Sequence, residues 1–307
     1  MHLPVVLSPL AIVLAVIEPC AALQLGHNVE TPCTTHVVST FFTQKGDWQD
    51  HGEHVEPKFR KIAGFYRSVL STPNVHVVIL YDKLPKNFTA RYTHLGKFEF
   101  QMVNLTAYDA LLGVNDVRFV VFRDFLHTRP DYSVVFFTDL FDVKVLRNPC
   151  PLVMQRSPRK IFVGSEVQHS LDFKWMRKRF EDMGGKYLEW YRRATQKDKA
   201  MVIFNAGLLG GRRGQVMAFL ENLAAVEEDS LLLTRQRGHE VDVNMGAFNW
   251  VVYQHTSRNQ RVTGHPLHSD FGANRPLPHD IFKHKLLSLG SGTSPRREDG
   301  EREHWMT

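Results

Sequence analysis

The sequence predicts an α/β protein built on a mainly parallel, doubly wound sheet with helices on its faces. Two observations support this fold class. Short runs rich in Val, Ile and Phe alternate along the chain with longer helical patterns. These runs are mostly apolar throughout, as expected for strands covered on both faces of a parallel sheet. The length of 307 residues, with 43% hydrophobic and 23% charged residues, suits one large domain and excludes disorder throughout the chain.

The predicted strands share this apolar composition, and they are His36–Thr43, Val75–Tyr81, Phe98–Val103, Tyr132–Thr138, Ile161–Val167 and Val202–Leu209. The predicted helices lie between and after them, at Glu56–Leu70, Asp116–His127, Phe173–Arg193, Gln215–Val226 and Val241–His255. Pro73 closely follows the first helix and is consistent with its end. Ligands of open α/β sheets bind beyond the carboxyl ends of the strands, so the residues that follow each strand are the first functional candidates.

The N-terminus has the layout of a secretory signal peptide. An apolar run over Leu3–Ile17 is followed by Cys20-Ala21-Ala22, a small-x-small cleavage pattern. The run is short for a membrane span, which needs about 20 apolar residues. We expect a signal peptide at residues 1–22, with an uncleaved signal anchor as the alternative, and membrane contact only in the second case. Residues 288–307, rich in Gly, Ser, Pro and charge, are expected to form a flexible C-terminal tail.

Other features agree with the secretory pathway. Asn87 and Asn104 each begin an N-glycosylation triplet, as in a glycoprotein. Cys33 and Cys150 are an even pair once the signal is removed, and they form either a disulfide or two buried thiols. We therefore expect a Golgi or ER lumenal, or secreted, protein. A net charge of +6 suits a phosphate-bearing ligand or a membrane surface, but it does not indicate a nucleic-acid partner.

The strand before Asp139 ends in two closely spaced carboxylates. Four apolar residues, Val134–Phe137, lead to Thr138-Asp139, and Asp142 follows three positions later. Two carboxylates at the rim of a sheet repel each other unless a cation lies between them. Mg²⁺ or Mn²⁺, held by one or two carboxylates and completed by phosphate oxygens, would fill this role. The alternative is a helix-capping Asp and a separate surface Asp.

A second apolar strand is expected to end at Asn205-Ala206-Gly207. Gly210, Gly211 and Gly214 would then open a helix, where glycines let a ligand approach the backbone. Ordinary turn glycines are the alternative. The first strand–helix turn lacks a dinucleotide-binding fingerprint, and the chain contains no Walker loop.

The order of the segments resembles the GT-A-type nucleotide-sugar glycosyltransferases over roughly Thr35–Lys285. The matching pieces are Asn115-Asp116-Val117-Arg118-Phe119, Phe137–Val143 with Asn148-Pro149, Phe204-Asn205-Ala206-Gly207, Asn244–Asn249 and Ile281–Lys285. The resemblance implies a GT-A, Rossmann-like catalytic domain over residues 34–287. It also implies a transferase of the EC 2.4 class that moves a sugar from a nucleoside-diphosphate sugar to a glycan, glycoprotein or glycolipid acceptor.

The same resemblance implies residue roles. Asp139, Asp142 and His284 would hold a divalent metal, Mn²⁺ or Mg²⁺. The implied donor-binding residues are Thr43, Asp116, Arg118, Thr138 and Lys285. The implied sugar or acceptor residues are Asn205, Ala206 and Gly207.

This chain departs from the family pattern at two places. The acidic spacing is Asp-x-x-Asp rather than the commoner Asp-x-Asp, and Asn244 stands where relatives more often carry an acidic residue. Asp242 and Glu166 are therefore the candidate general bases for an inverting reaction, whereas a retaining reaction needs no discrete base. A catalytically inactive sugar-nucleotide or glycan-binding relative, and a secreted metal-dependent phosphoester hydrolase, are the alternative functions.

The stretch Phe173–Lys199 combines nine basic and four acidic residues with several aromatic ones. It predicts either an acceptor-binding, acidic-glycan or membrane-facing surface, or a helix pair with buried aromatics and solvated charges.

Overall fold

The computed structural model describes residues 33–46, 54–94, 96–235, 242–265 and 280–283. All of them belong to one compact unit, Pro32–Thr307. The predicted signal segment at residues 1–22 and the predicted tail at residues 288–307 lie outside the described residues. No helix in the described ranges is long and apolar enough to cross a bilayer.

The described strands form a seven-stranded sheet in the order β3-β2-β1-β4-β7-β6-β8, with β5 and β9 paired separately. Their bounds are β1 Thr35–Phe41, β2 Val75–Tyr81, β3 Phe98–Met102, β4 Val134–Thr138, β5 Lys144–Val145, β6 Ile161–Ser170, β7 Val202–Arg212, β8 Arg261–Val262 and β9 Phe282–Lys283. Strands β1 to β4 pair in parallel, as do β6 and β8, whereas β7 is antiparallel to both of its neighbours. The prediction of a mainly parallel α/β sheet is therefore confirmed.

The helices are α1 Phe59–Ser71, α2 Lys86–Tyr92, α3 Val114–His127, α4 Cys150–Gln155, α5 Lys174–Met183, α6 Gly185–Lys197, α7 Arg213–Arg235 and α8 Asn244–His255. Successive strand residues point to opposite faces of the sheet, so each strand supplies two cores. Val38 and Phe137 face the core formed with α3, α7 and α8, whereas Val37 and Phe136 face the core formed with α1 and α4. Burial on both faces explains why the strands are apolar throughout.

The stretch predicted as one helix over Phe173–Arg193 is two helices. Gly184 and Gly185 both have positive φ, 65° and 47°, and they end α5 and begin α6. Positive φ is accessible to glycine at little cost, so these two residues can interrupt the helix between α5 and α6.

The strand predicted over Val202–Leu209 is β7, and the interpretation of Asn205-Ala206-Gly207 as its end is wrong, because β7 continues to Arg212. Gly210 and Gly211 lie inside this strand rather than at the start of a helix, whereas Gly214 does lie in the first turn of α7. A Cβ at Gly210 would overlap the ring of Phe136. Gly210 is therefore a packing residue that lets β7 lie directly against the Phe136 ring.

Cys33 and Cys150 form a disulfide across a sequence separation of 117 residues. Asn148 joins the same two segments, because its amide donates to the Cys33 carbonyl at 2.6 Å and its Oδ1 accepts from Thr35 Oγ1 at 2.7 Å. In the chain-entropy model, closing a loop of this length stabilises the fold by about 4–5 kcal/mol. The start of β1 is thereby fixed to the start of α4.

Candidate active site

A cavity of about 1090 Å³ lies at the carboxyl ends of β1 and β4. This is the edge at which open α/β sheets bind ligands. Its walls come from the end of β1, the first turns of α3, the segment after β4, the strands β6 and β7, and α5. The volume is at the upper end of the range of small-molecule sites, so the cavity can hold more than one sugar-sized group.

Asp139 and Asp142 both line this cavity. Asp139 Oδ1 forms an ion pair with Arg118 Nη1, and both side chains are partly buried. The alternative of a helix-capping Asp is wrong, since the chain after Asp142 continues into strand β5. Thus the structure brings both carboxylates and the Arg118 guanidinium into one cavity.

The described residues contain no group of three or more His, Cys, Asp or Glu placed to hold a metal ion. Asp139 and Asp142 supply two carboxylates to the cavity. Mg²⁺ and Mn²⁺ typically bind one or two protein carboxylates together with phosphate oxygens, so two carboxylates are enough for either ion. His284 and Lys285, the implied third ligand and phosphate contact, lie outside the described residues.

Gly207 allows the Asp139 carboxylate to lie against strand β7. The Gly207 carbonyl accepts a hydrogen bond from the Asp139 N–H at 3.1 Å. A Cβ at Gly207 would overlap Asp139 Oδ2 and would lie 2.8 Å from Asn205 Oδ1. Because glycine has no side chain, both polar groups can occupy this space.

Glu166 and Asn205 form a polar pair in the same cavity. The Asn205 amide donates to Glu166 Oε1 at 2.7 Å, and Asn205 Oδ1 accepts from the Gly207 N–H at 2.7 Å. Asn205 is nearly fully buried, so both ends of its side chain are fixed. The pair orients one Glu166 oxygen and leaves the other available to a ligand.

Asp242 and Asn244 lie behind the cavity rather than in its wall. Asp242 Oδ2 is 3.0 Å from Arg179 Nη2, and its Oδ1 accepts from the Asn244 amide. Arg179 also donates to the Asp242 carbonyl at 3.0 Å. Of the three candidate catalytic residues, the structure therefore places Glu166 in the cavity, whereas Asp242 and Asn244 bind each other.

The implied donor contact of Asp116 is wrong, because this side chain has no exposed surface. Its Oδ1 accepts from the Val243 N–H at 3.0 Å, and its Oδ2 has no hydrogen-bond partner among the described residues. Burial, and then the charge of Asp242, raise the pKa of Asp116 well above its ordinary value. Asp116 therefore acts as a buried contact between the first turn of α3 and the residue before α8.

Three further implied ligand contacts, at Thr43, Thr138 and Ala206, are not placed in the walls that the described residues form. The Thr43 N–H and hydroxyl donate to Asp82, and the Thr138 hydroxyl lies 2.9 Å from that of Ser39. Ala206 is buried. The hydroxyl groups of Thr43 and Thr138 therefore form hydrogen bonds within the protein rather than lining the cavity.

One wall of the cavity comes largely from the Phe173–Lys199 stretch, for which the sequence left a ligand-binding surface and a helix pair with solvated charges as alternatives. Its residues lie on α5 and the segment before it, and they are His169, Phe173, Lys174, Trp175, Arg177, Lys178 and Glu181. The aromatic residues of the Phe173–Lys199 stretch divide between two environments, since Phe180, Tyr187 and Tyr191 are buried in the core. The spacing of Lys174, Arg177, Lys178 and Glu181, at i, i+3, i+4 and i+7, is the signal that these side chains share one helix face.

No protein-family model matches the chain, and no curated protein matches it in sequence. Among solved structures it is similar to the galactosyltransferase LgtC in complex with donor and acceptor sugar analogues, with a TM-score of 0.48 and 10% identity over 81% of this chain and 86% of that one. An active-site mutant of LgtC gives a TM-score of 0.47 and 11% identity at the same coverage. Both neighbours are structures of this galactosyltransferase, and the similarity extends to the fold alone.

Replacing Gly207 by Ala is expected to lower thermal stability, because the added methyl group overlaps the Asp139 carboxylate. Overpacking of this kind costs about 1–3 kcal/mol. The matched control is Gly214→Ala, where a Cβ meets no atom within 4 Å. Melting temperatures of both variants provide the measurement. Equal melting temperatures would show that the Asp139 side chain does not need this space.

Glu227 provides a pH test of the buried acids. Burial, and then the charge of Asp116, raise the pKa of Glu227 well above its ordinary value. The folded state therefore keeps a proton that the unfolded state releases, so stability falls as the pH rises above the ordinary pKa. Glu227→Gln removes this dependence, so the stability of the variant relative to the parent is expected to increase as the pH rises above the ordinary pKa of glutamate.

The matched control for this test is Glu228→Gln. Its side chain is exposed, and it lies 3.5 Å from Arg123. Melting curves measured at several pH values should show no comparable gain for this variant. A pH-independent difference between Glu227→Gln and the parent would contradict a neutral Glu227.

Proposed function

We propose that this protein is a metal-dependent glycosyltransferase of the secretory pathway. It transfers a sugar from a nucleoside-diphosphate sugar to a hydroxyl group of a glycan, glycoprotein or glycolipid. The observation that carries the proposal is the convergence in one large cavity of Asp139 and Asp142, the Arg118 guanidinium and the Glu166–Asn205 pair.

Asp139 and Asp142 would hold the divalent cation, with His284 as the proposed third ligand. His284 directly follows Lys283, the last residue of β9. Lys283 pairs with Lys144 of β5, and Lys144 lies two residues after Asp142 in the sequence. When bound, Mn²⁺ or Mg²⁺ supplies charge stabilisation to the departing diphosphate. Arg118 orients Asp139 and presents a planar, always charged group to the cavity, which suits phosphate oxygens.

Glu166 is the proposed general base of an inverting reaction. Its carboxylate would take the proton of the acceptor hydroxyl while that oxygen attacks the anomeric carbon of the donor. The Asn205 amide holds one carboxylate oxygen, so the other is directed to the acceptor. Asp242 does not fit this role, since Arg179 and Asn244 engage both of its oxygens.

The compartment is proposed from three features of the chain. The Cys33–Cys150 disulfide is typical of an oxidising environment. Asn87 and Asn104 are exposed, as glycan attachment requires. The predicted signal at residues 1–22 agrees with both.

An inactive sugar-nucleotide or glycan-binding protein is the second candidate function. The observation that favours it is the Asp242–Asn244 contact, because an acid at the second position would repel Asp242, whereas the Asn244 amide donates to it. Nucleotide binding without turnover of any donor would select this candidate.

Asp142→Asn is expected to abolish sugar transfer and to remove metal-dependent stabilisation by nucleotide. The physical reason is the loss of one of two anionic ligands. The measurements are melting temperatures with UDP or GDP, with and without Mn²⁺, and a mass-spectrometric screen of UDP- and GDP-sugars. The control is Asp131→Asn, an exposed acid in the turn before β4. Full activity of Asp142→Asn would refute the metal assignment.

Glu166→Gln is expected to slow transfer by about 10²–10⁴-fold, because the amide cannot accept the hydroxyl proton. Donor binding should be preserved, so the loss should appear in kcat rather than in the donor KM. Steady-state kinetics with the donor found in the screen provide the measurement. Unchanged kcat would exclude Glu166 as the base and would favour a retaining reaction.

A further inference from the structure

The wall formed by α5 has a basic face that points into the cavity. Lys174, Arg177, Lys178 and Glu181 line it at positions that share one side of the helix. The opposite side is fixed in the core by Met176, Phe180 and Met183, which have no exposed surface. The core contacts therefore set the rotation of α5, and the three cations face the cavity.

The ion pairs of Arg177 and Lys178 leave the side chains of both cations exposed to the cavity. Arg177 Nη2 lies 3.1 Å from Asp172 Oδ1, and Lys178 pairs with Asp182, but the side chains of both cations are more than half exposed. Exposed pairs of this kind contribute little and exchange readily with other partners. Asp172 also binds Lys199 at 2.6 Å, so its charge is divided between two cations. With Lys199 included, four cations (Lys174, Arg177, Lys178 and Lys199) stand against Asp172, Glu181 and Asp182, so one positive charge is in excess at this wall.

Aromatic groups continue the same wall towards β6. The His169 ring stacks on Phe173 with centroids 4.5 Å apart and an interplanar angle of 21°. Trp175 lines the same cavity, and the Arg179 guanidinium lies 5.4 Å from its ring centroid. Aromatic faces bind the apolar C–H faces of sugar rings, while nearby charged groups fix orientation.

This wall is continuous with the proposed base. Strand β6 carries Glu166, runs on through His169 to Ser170, and leads into α5. The carboxylates proposed for the metal and donor come from a different segment, the one after β4. A sugar whose hydroxyl reaches Glu166 would therefore have the rest of its structure directed along the aromatic and basic residues of α5.

Resting on the proposed function, we propose that the α5 wall binds the acceptor and that this acceptor is an anionic saccharide. Its carboxylate, sulfate or phosphate group would pair with Lys174, Arg177 and Lys178. A sugar ring beside that group would lie on His169, Phe173 and Trp175.

The test compares three pairs of probes that differ in charge. They are 4-nitrophenyl β-glucoside with the β-glucuronide, 4-nitrophenyl β-galactoside with its 6-sulfate, and mannose with mannose 6-phosphate. Binding is measured by saturation-transfer NMR in the presence of UDP and Mn²⁺, and KM is measured wherever transfer occurs. The acidic member of at least one pair is expected to bind about fivefold to tenfold more tightly at low salt. Added NaCl should reduce this preference by screening.

The double variant Lys174→Gln/Lys178→Gln is expected to remove the preference for the acidic probe. Binding of the neutral probe, the donor KM and the hydrolysis of donor by water should stay within about twofold of the parent. The matched control is Lys186→Gln, an exposed lysine of α6 that pairs with Asp229 outside the cavity. This control should leave the preference for the acidic probe intact.

Failure of this inference is distinguishable from failure of the proposed function. If donor sugars are turned over but no acidic probe binds better than its neutral partner, the anionic acceptor is refuted and the transferase stands. A rise in donor KM in the double variant would also refute it, since the lysines would then serve the diphosphate. If no donor is turned over, yet acidic probes bind through Lys174 and Lys178, the transferase fails and the anionic-saccharide site stands.

Discussion

The polar groups of the cavity meet because β7 runs against the direction of its neighbours. In a wholly parallel sheet, a residue early in a strand lies at the edge opposite to the ligand-binding one. The antiparallel β7 instead brings its first half to the edge where β4 ends, with Thr138 paired to Leu208. Gly207 then lies against Asp139, and Asn205 lies against Glu166 of β6. The direction of β7 therefore determines which residues come together in the site.

Behind the cavity lie buried acidic side chains, and only some of them form an ion pair with a basic side chain among the described residues. Asp116 and Glu227 have no exposed surface, and the cost of burying a charged carboxylate raises the pKa of both groups well above the ordinary value. Two features reduce this cost. Arg179 neutralises Asp242, and Asp116 lies in the first turn of α3, where the helix dipole is positive. The Val243 N–H bound by Asp116 directly precedes α8, so the same contact joins the beginnings of two helices.

Much of the framework could be predicted from the sequence, because burial on both faces makes each strand an apolar run. The search beyond the strand ends located Asp139, Asp142, Glu166 and Asn205, and the family resemblance implied Arg118. All five residues line the cavity. Reasoning from the sequence failed where contacts between residues far apart in the chain determine the structure. The direction of β7 depends on pairing with β4 and β6, which no local pattern records.

Other errors arose because a polar residue near a strand end or helix start is not always exposed. Asp116 occupies the first turn of a helix, where an acid is common, yet here α8 covers it. Thr43 follows a strand that ends at the cavity, but its N–H and hydroxyl groups donate hydrogen bonds to the Asp82 carboxylate. The α5 wall was left open between two interpretations, since the helix pattern shows which residues share a face but not what that face meets.

The segment from Asp139 to Pro149 is anchored along its whole length. It leaves β4 at one end, pairs through β5 with β9 in the middle, and is tied to Cys33 by the disulfide immediately after it. A segment held in this way has lost most of its conformational entropy when the chain folds. A ligand that engages Asp139 and Asp142 consequently meets a preorganised surface, and its binding energy is not consumed in ordering the backbone that carries them.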